Sequence, residues 1–251
     1  MAIFGRRIPM AGSLLIWAGI WELVGRSGMV SLLPPLTRVV VRLGEILPTE
    51  SFLSALGLTA RAFTAGIVVA IVAGVTVGIL MGRSEIADRL LLPWVNVFVS
   101  APLTALVPVI MALFGFGETT VVLTVVLFAI WIIVLDTRAG TRGISPSLVD
   151  MARCYGATRA QAFAKIYVWA ALPEILAGIR VGLVRAIKGV IIGQLIVSVV
   201  GFGYLFEIYS SHFLMEHLWA LLLVLFALAF VVDGVLRYLE KRVEYYAATR
   251  H

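Results

Sequence analysis

The sequence offers little from which to build a catalytic centre: among 251 residues there are three histidines, His212, His217 and His251, and a single cysteine, Cys154. One thiol excludes an intrachain disulfide and a cysteine-based metal set, so Cys154 reads as a small filler in a helix. His212 and His217 stand five apart around Glu216, off the i, i+4 spacing of a helical metal pair, and no metal is expected. No Ser-His or His-carboxylate cluster falls inside the apolar runs, which argues against a membrane-embedded enzyme. A G-x-x-x-x-G-K-[ST] phosphate loop is also missing, because none of Lys165, Lys188 and Lys241 follows a glycine. Work driven by ATP would need a partner.

Charge is scarce as well. Only 14% of residues are charged and 61% are apolar, against roughly 45–50% apolar in soluble domains. The chain reads as an all-α integral membrane protein. Six apolar runs, at about 8 to 25, 54 to 82, 91 to 114, 119 to 136, 175 to 200 and 217 to 236, meet the roughly 20 residues a crossing needs. The first follows Arg6 and Arg7 as a signal peptide would, but it carries Trp17, Trp21 and Glu22 and has no small-x-small site before Gly25, so it is expected to be retained.

The net charge of +6 does not point to nucleic acid, because the basic residues mark one side of a bilayer. With the N-terminus inside, the inner segments hold thirteen: Arg6, Arg7, Arg83, Arg89, Arg138, Arg142, Arg153, Arg159, Lys165, Arg237, Lys241, Arg242 and Arg250. The outer segments hold Arg26, Arg38 and Arg42. That asymmetry obeys the positive-inside rule and puts both termini in the cytoplasm of a multi-pass cell (inner) membrane protein.

Within the spans, Gly66, Ala70, Gly74, Gly78 and Gly82 draw one small-residue stripe, which suits either close helix packing or room for a solute. Pro93, Pro102 and Pro108 share the third span with Asn96, Ser100 and Thr104, whose four-residue spacing gives one polar face. Prolines free carbonyls that must be satisfied by protein or a wet cavity, so that face is either a pathway wall or interhelical hydrogen bonding. In the fifth span Arg180, Gln194 and Ser198 fall near one face while Arg185 and Lys188 share another. Lys188 lies deepest; Arg180 and Arg185 could snorkel to the cytoplasmic surface. The candidate pathway residues are therefore Asn96, Ser100, Thr104, Lys188, Gln194 and Ser198, with a cationic interior suited to an anionic solute. Arg61 is either a headgroup anchor or the partner of a carboxylate such as Glu118 or Glu207. Between Pro34-Pro35 and Pro48 a short amphipathic helix is expected, with Val39, Val40, Leu43 and Ile46 toward lipid or protein.

One polar stretch interrupts this chain, from Thr137 to Pro173. Ser145-Pro146 reads as an N-cap with proline at the first helical position, Asp150 complements the helix dipole, and Gly156 is placed to end the helix near Tyr155. Thr158 with Gln161 fits a capping box that starts a second helix, expected to run to about Leu172 before Pro173 intervenes. The result is a helix-turn-helix at the membrane surface.

Asp150-Met151-Ala152, Gly156, Ile166, Ala170-Ala171-Leu172-Pro173-Glu174-Ile175 and Gly178-Ile179-Arg180 resemble the cytoplasmic EAA loop of ABC-importer permeases. The resemblance extends over about Leu33 to Arg242, through Leu33-Pro34-Pro35, Ala101-Pro102 to Pro108, Phe114-Gly115-Phe116-Gly117-Glu118, Gly201-Phe202-Gly203 and Asp233-Gly234-Val235-Leu236-Arg237. These segments look most like the nitrate, sulfonate and taurine branch, which also serves aromatic acids and vitamin precursors. Asp150 stands where the family usually has Glu, Val168-Trp169 where it has Leu-Pro, and Gln194 where a glutamate is common.

The resemblance implies a type I ABC-importer permease with six transmembrane helices and a cytoplasmic coupling loop at 137–173. Residues 1–53 would form the first helix and an external segment, 54–242 a core of five helices, and 243–251 a cytoplasmic tail. It implies a homodimer with two ATPase subunits that bind ATP and Mg, and an extracytoplasmic solute-binding protein. This chain itself would bind no cofactor. ATPase coupling would fall to Asp150, Ala152, Arg153, Gly156, Ala157, Thr158, Arg159, Ile166 and Pro173, and the solute would be a small polar, anionic organic molecule. The rival is an ion-coupled secondary transporter, which would need acidic residues at mid-membrane beside broken helices.

Overall fold

The computed structural model describes residues 10–30 and 32–248, all helix and connection. Arg6, Arg7, Arg250 and the last tail residues lie outside the described residues, as do the side chains of Arg159, Arg237, Lys241 and Arg242. The helices are α1 (Met10–Ser27), α2 (Leu36–Ile46), α3 (Glu50–Arg83), α4 (Glu85–Ser100), α5 (Val107–Phe114), α6 (Glu118–Arg142), α7 (Pro146–Cys154), α8 (Arg159–Ala162), α9 (Val168–Val197), α10 (Gly201–Ser211) and α11 (Met215–Ala248).

Helices α3, α6 and Met215–Gly234 of α11 are long and apolar enough to cross a membrane unbroken. Two bent pairs raise the number to five: α4 with Leu103–Phe114, bent by 99°, and Ala160–Val197 with α10, bent by 48°. Of the six expected crossings, the run at 91 to 114 is thus broken, and α1, whose last turns carry Glu22 and Arg26, is not among the apolar spans. The break falls at Ala101-Pro102, where Pro102 and Pro108 withhold two backbone donors within seven residues.

Helix α6 lies between α3 and α9, and glycines set both seams. A Cβ on Gly66, Gly74, Gly78 or Gly82 of α3 would meet Val125, Ile133, Thr137 or Thr141 of α6 at 2.6, 2.9, 2.6 and 2.5 Å. The small-residue stripe is therefore a packing seam. Both number series rise together, so α3 and α6 run in the same direction. On the other side Gly178, Gly182 and Gly189 of α9 face Asp136, Ile133 and Phe128, a falling series that makes α9 antiparallel to α6. Two parallel helices joined in sequence require one return crossing between them. The bent α4 and α5 pair must traverse the bundle rather than re-enter on one side.

Ion pairs pin both ends of this arrangement. Arg61 donates to both carboxylate oxygens of Glu118, at 2.7 and 2.6 Å, tying the first turns of α6 to α3. At the opposite end Asp88 of α4 is buried and accepts from Arg138 and Arg142 of α6. The amphipathic α2 packs on α11 with Val39 and Ile46 buried and Leu43 half-buried, while Val40 is exposed. Backbone carbonyls of the preceding segment are held by indoles: Trp21 Nε1 donates to Pro34 O (3.0 Å) and Trp219 Nε1 to Leu32 O (2.9 Å).

Gly78→Val tests the seam. Its Cβ would approach the Val134 carbonyl at 2.8 Å as well as Thr137, so helices must separate, and a loss of about 1–3 kcal/mol is expected. Thermal denaturation of the detergent-solubilised protein would register it; an unchanged midpoint would contradict the seam.

Candidate functional site

The polar segment after α6 folds as its local chemistry dictates, with two amendments. Helix α7 ends in a Schellman motif: Ala157 N–H donates to Ala152 O and Gly156 N–H to Arg153 O, both at 2.9 Å, with Gly156 at φ +69°. The next helix begins two residues later through a reciprocal box, in which Thr158 N–H donates to Gln161 Oε1 (2.9 Å) and Gln161 N–H to Thr158 Oγ1 (3.3 Å). The first amendment concerns Ser145, which occupies the N-cap position but bonds Ser147 Oγ at 2.7 Å and does not cap α7 with its side chain. The second concerns Pro173. The helix does not stop there but runs from Ala160 to Val197. Pro173 withholds its bond from the Trp169 carbonyl on the exposed side of α9, while Ala171 on the other side is locked against Gly140 of α6. The segment between long helices is therefore 143–158, narrower than the expected 137–173.

In α7, Ala152 is buried, whereas Asp150, Arg153 and Cys154 are exposed, with Asp150 accepting from Arg153 at 3.3 Å. Leu148, Met151 and Tyr155, at i, i+3 and i+7, share an uncovered apolar side, and Tyr155 is 86% exposed. Ile166 is half-buried within a π-turn at Phe163–Tyr167 that joins α8 to α9.

Sequence reasoning missed what that π-turn touches. The Arg83 guanidinium, in the last turn of α3, lies 4.8 Å from the Phe163 ring centroid and 5.1 Å from that of Tyr167, a cation–π clamp. Phe163 and Tyr167 stand four apart, a readable signal of one aromatic face. Arg83, the Asp88–Arg138–Arg142 cluster and the 143–158 segment occupy the same end of the bundle, because α3 and α6 finish together there.

The candidate pathway residues do not form one constellation. Asn96 and Ser100 are exposed on α4, but the helix ends at Ser100 and puts Thr104 in a 3-10 turn, so the expected three-residue face is broken. Gln194 is 2% exposed: Nε2 donates to Thr59 Oγ1 (2.9 Å) and Oε1 accepts from Phe202 N–H (3.3 Å). Ser198 ends α9 at φ +55°, its Oγ donating to Leu195 O at 2.7 Å. Both residues sit at the bend between α9 and α10, with Gln194 buried there and Ser198 half-buried. Lys188 alone of the fifth-span set is exposed, at the start of the last third of α9.

At the other end of the bundle, Glu216 accepts from Arg42 Nε at 3.0 Å and Arg38 at 3.5 Å. The carboxylates of Glu45 and then Glu216 raise the Arg42 pKa above its ordinary value, so it stays charged.

Comparison with known proteins agrees with this architecture. The chain is 27% identical to the taurine transport system permease protein of Escherichia coli strain K12, over 92% of this chain and 87% of that protein. It is 27% identical to a putative aliphatic sulfonates transport permease protein of Bacillus subtilis strain 168, over 93% of this chain and 86% of the other. Among solved structures, inward-facing forms of the MetNI methionine ABC transporter contain a chain that superposes with a TM-score of 0.58 at 18% identity, covering 77% of this chain and 93% of that one, which establishes the fold. Residues 67–245 match the family described as binding-protein-dependent transport system inner membrane component. With that match spanning more than half of an all-helical, multi-pass chain, the protein belongs to this family of ABC transporter permeases.

Proposed function

We propose that this chain is the transmembrane subunit of an ABC importer for a small anionic solute, driven by separate ATPase subunits that grip the 143–158 segment. The observation that carries the reading is the paired turn at Gly156 and Thr158. A Schellman end and a capping box fix the short α7 at a set angle to the start of the long helix that follows and leave Leu148, Met151 and Tyr155 uncovered for a partner. Arg153, Ala157 and the backbone of Arg159 complete that surface, and the Arg83 clamp on the π-turn carries its movement to α3.

Two copies of the chain would enclose the pathway, and an extracytoplasmic binding protein would deliver the solute to the end bearing Arg38 and Arg42. ATP and Mg belong to the partner ATPase. The relatives' names include taurine, aliphatic sulfonates and nitrate, all carrying a small oxyanion, which supports an anionic solute here. In the membrane the EAA-like segment and both termini face the cytoplasm.

Vesicles reconstituted with this chain, its ATPase and its binding protein, with taurine, ethanesulfonate and nitrate as probes, test the reading. Uptake of at least one is expected only with ATP and Mg on the ATPase side. Uptake by the chain alone on an ion gradient would replace the reading with a secondary transporter.

A further inference from the structure

Helix α9 carries two kinds of surface. Gly178, Gly182, Gly189 and Gly193 pack against α6. At 100° per residue, Ala170, Glu174, Ala177, Val181 and Lys188 fall in an adjacent arc of about 60°, and all five are exposed.

What separates that uncovered arc from the exposed faces of α3 and α11 is charge at membrane depth. Helix α3 exposes Val68, Val69, Val72 and Leu80, and α11 exposes Phe226, Phe230 and Val231, as lipid-facing surfaces should. The exposed residues of the α9 arc are two charges, two alanines and one valine, with Ile192 and Leu195 half-buried in the same arc beyond Lys188. Polar and small residues at membrane depth face water or protein rather than lipid.

Lys188 lies too deep to reach either surface. Nine residues separate it from the end of α9 at Val197, about 14 Å of helix. Its neighbour Gly189 packs at the level of Phe128, ten residues into α6 from Glu118 and fourteen from Arg142. The ammonium thus sits near the middle of a hydrocarbon layer about 30 Å thick. Arg185, one turn away, has the Asp136 carboxylate as an electrostatic neighbour. Lys188 has no ion pair or hydrogen bond among the described residues.

We infer that Lys188 is the mid-membrane counter-charge for the solute's anionic group, and that it sets the charge selectivity of the pathway. The inference rests on the reading of this chain as a permease whose pathway runs along α9. A lone ammonium on a wet, narrow surface attracts a carboxylate, sulfonate or nitrate and repels a cation, and it binds as a point charge without the bidentate geometry of arginine.

Thiol labelling tests this without knowledge of the solute. A Cys154→Ser chain with Val184→Cys, one turn from Lys188, is treated in the assembled transporter with anionic sulfonatoethyl and cationic trimethylammonioethyl methanethiosulfonates. At about 6 Å of rise, removing one charge by Lys188→Gln should lower the anionic-to-cationic rate ratio by about tenfold in low salt. Lys188→Arg should retain the ratio and Lys188→Glu should invert it. Labelling whose ratio ignores residue 188 would overturn the role of Lys188 while leaving the pathway reading intact. No labelling by either reagent in any nucleotide state would mean that the side of α9 around Lys188 is dry, and both readings would fall.

Discussion

Gly156→Val is expected to abolish ATP-driven uptake while leaving insertion of the chain in the membrane unaffected. A Cβ on Gly156 meets nothing within 4 Å, so the loss would come from the backbone alone. At φ +69° an L-residue costs roughly 1–2 kcal/mol and a β-branched one is an outlier, which favours unwinding of the turn. Unwinding breaks the Ala157–Ala152 and Gly156–Arg153 bonds and releases α7 from its angle to α8. The glycine seams of α3, α6 and α9 lie elsewhere and keep the bundle folded. Gly156→Asn, which tolerates the left-handed region, should retain most uptake. Co-purification of the ATPase with each variant, beside uptake, separates docking from folding. Undiminished co-purification and uptake in the valine variant would remove this turn from the coupling mechanism.

Gly203→Ala is expected to produce a large loss of stability from one methyl group, because Gly203 has the closest facing atom of the described glycines. The added carbon would lie 1.9 Å from the Gln194 carbonyl oxygen and 2.5 Å from its carbon, and backbone cannot rotate away as a side chain can. Separating α10 from α9 would also strip the Phe202 N–H from Gln194 Oε1, leaving a buried amide whose desolvation alone costs about 1–3 kcal/mol. The total is about 3 kcal/mol or more, at or above the upper range for overpacking. Gly57→Ala is the control: it sits in α3 with nothing within 4 Å, and should be neutral or slightly stabilising through helix propensity. Thermal inactivation of the two variants side by side gives the comparison, and equal midpoints would contradict the close α9–α10 junction.

What the sequence made legible were features set by neighbouring residues or by simple periodicity. The capping box at Thr158, the positive φ at Gly156, the amphipathic α2 and the α3 stripe all depend on spacing within a few residues. Features settled by tertiary contact were not legible. The Asp88 cluster joins residues 50 and 54 apart in sequence, and nothing local marks Asp88 as more than a first-turn carboxylate. Gln194 looked like a pathway residue because periodicity put it on a face with Arg180; the return of α10 across it makes that face interior. Pro173 read as a stop, and the packing of Ala171 on Gly140 carries the helix past it. Thr104 lost its place on the Asn96 face because the prolines bend the chain before its turn arrives.

Cys154 gives the most direct measurement, because it is the chain's one cysteine and lies exposed at the end of α7. A membrane-impermeant maleimide should label it in inverted vesicles made without the ATPase, leave it unlabelled in right-side-out vesicles, and lose access when the purified ATPase is added. Labelling from the outer side would contradict a cytoplasmic segment held by a separate motor.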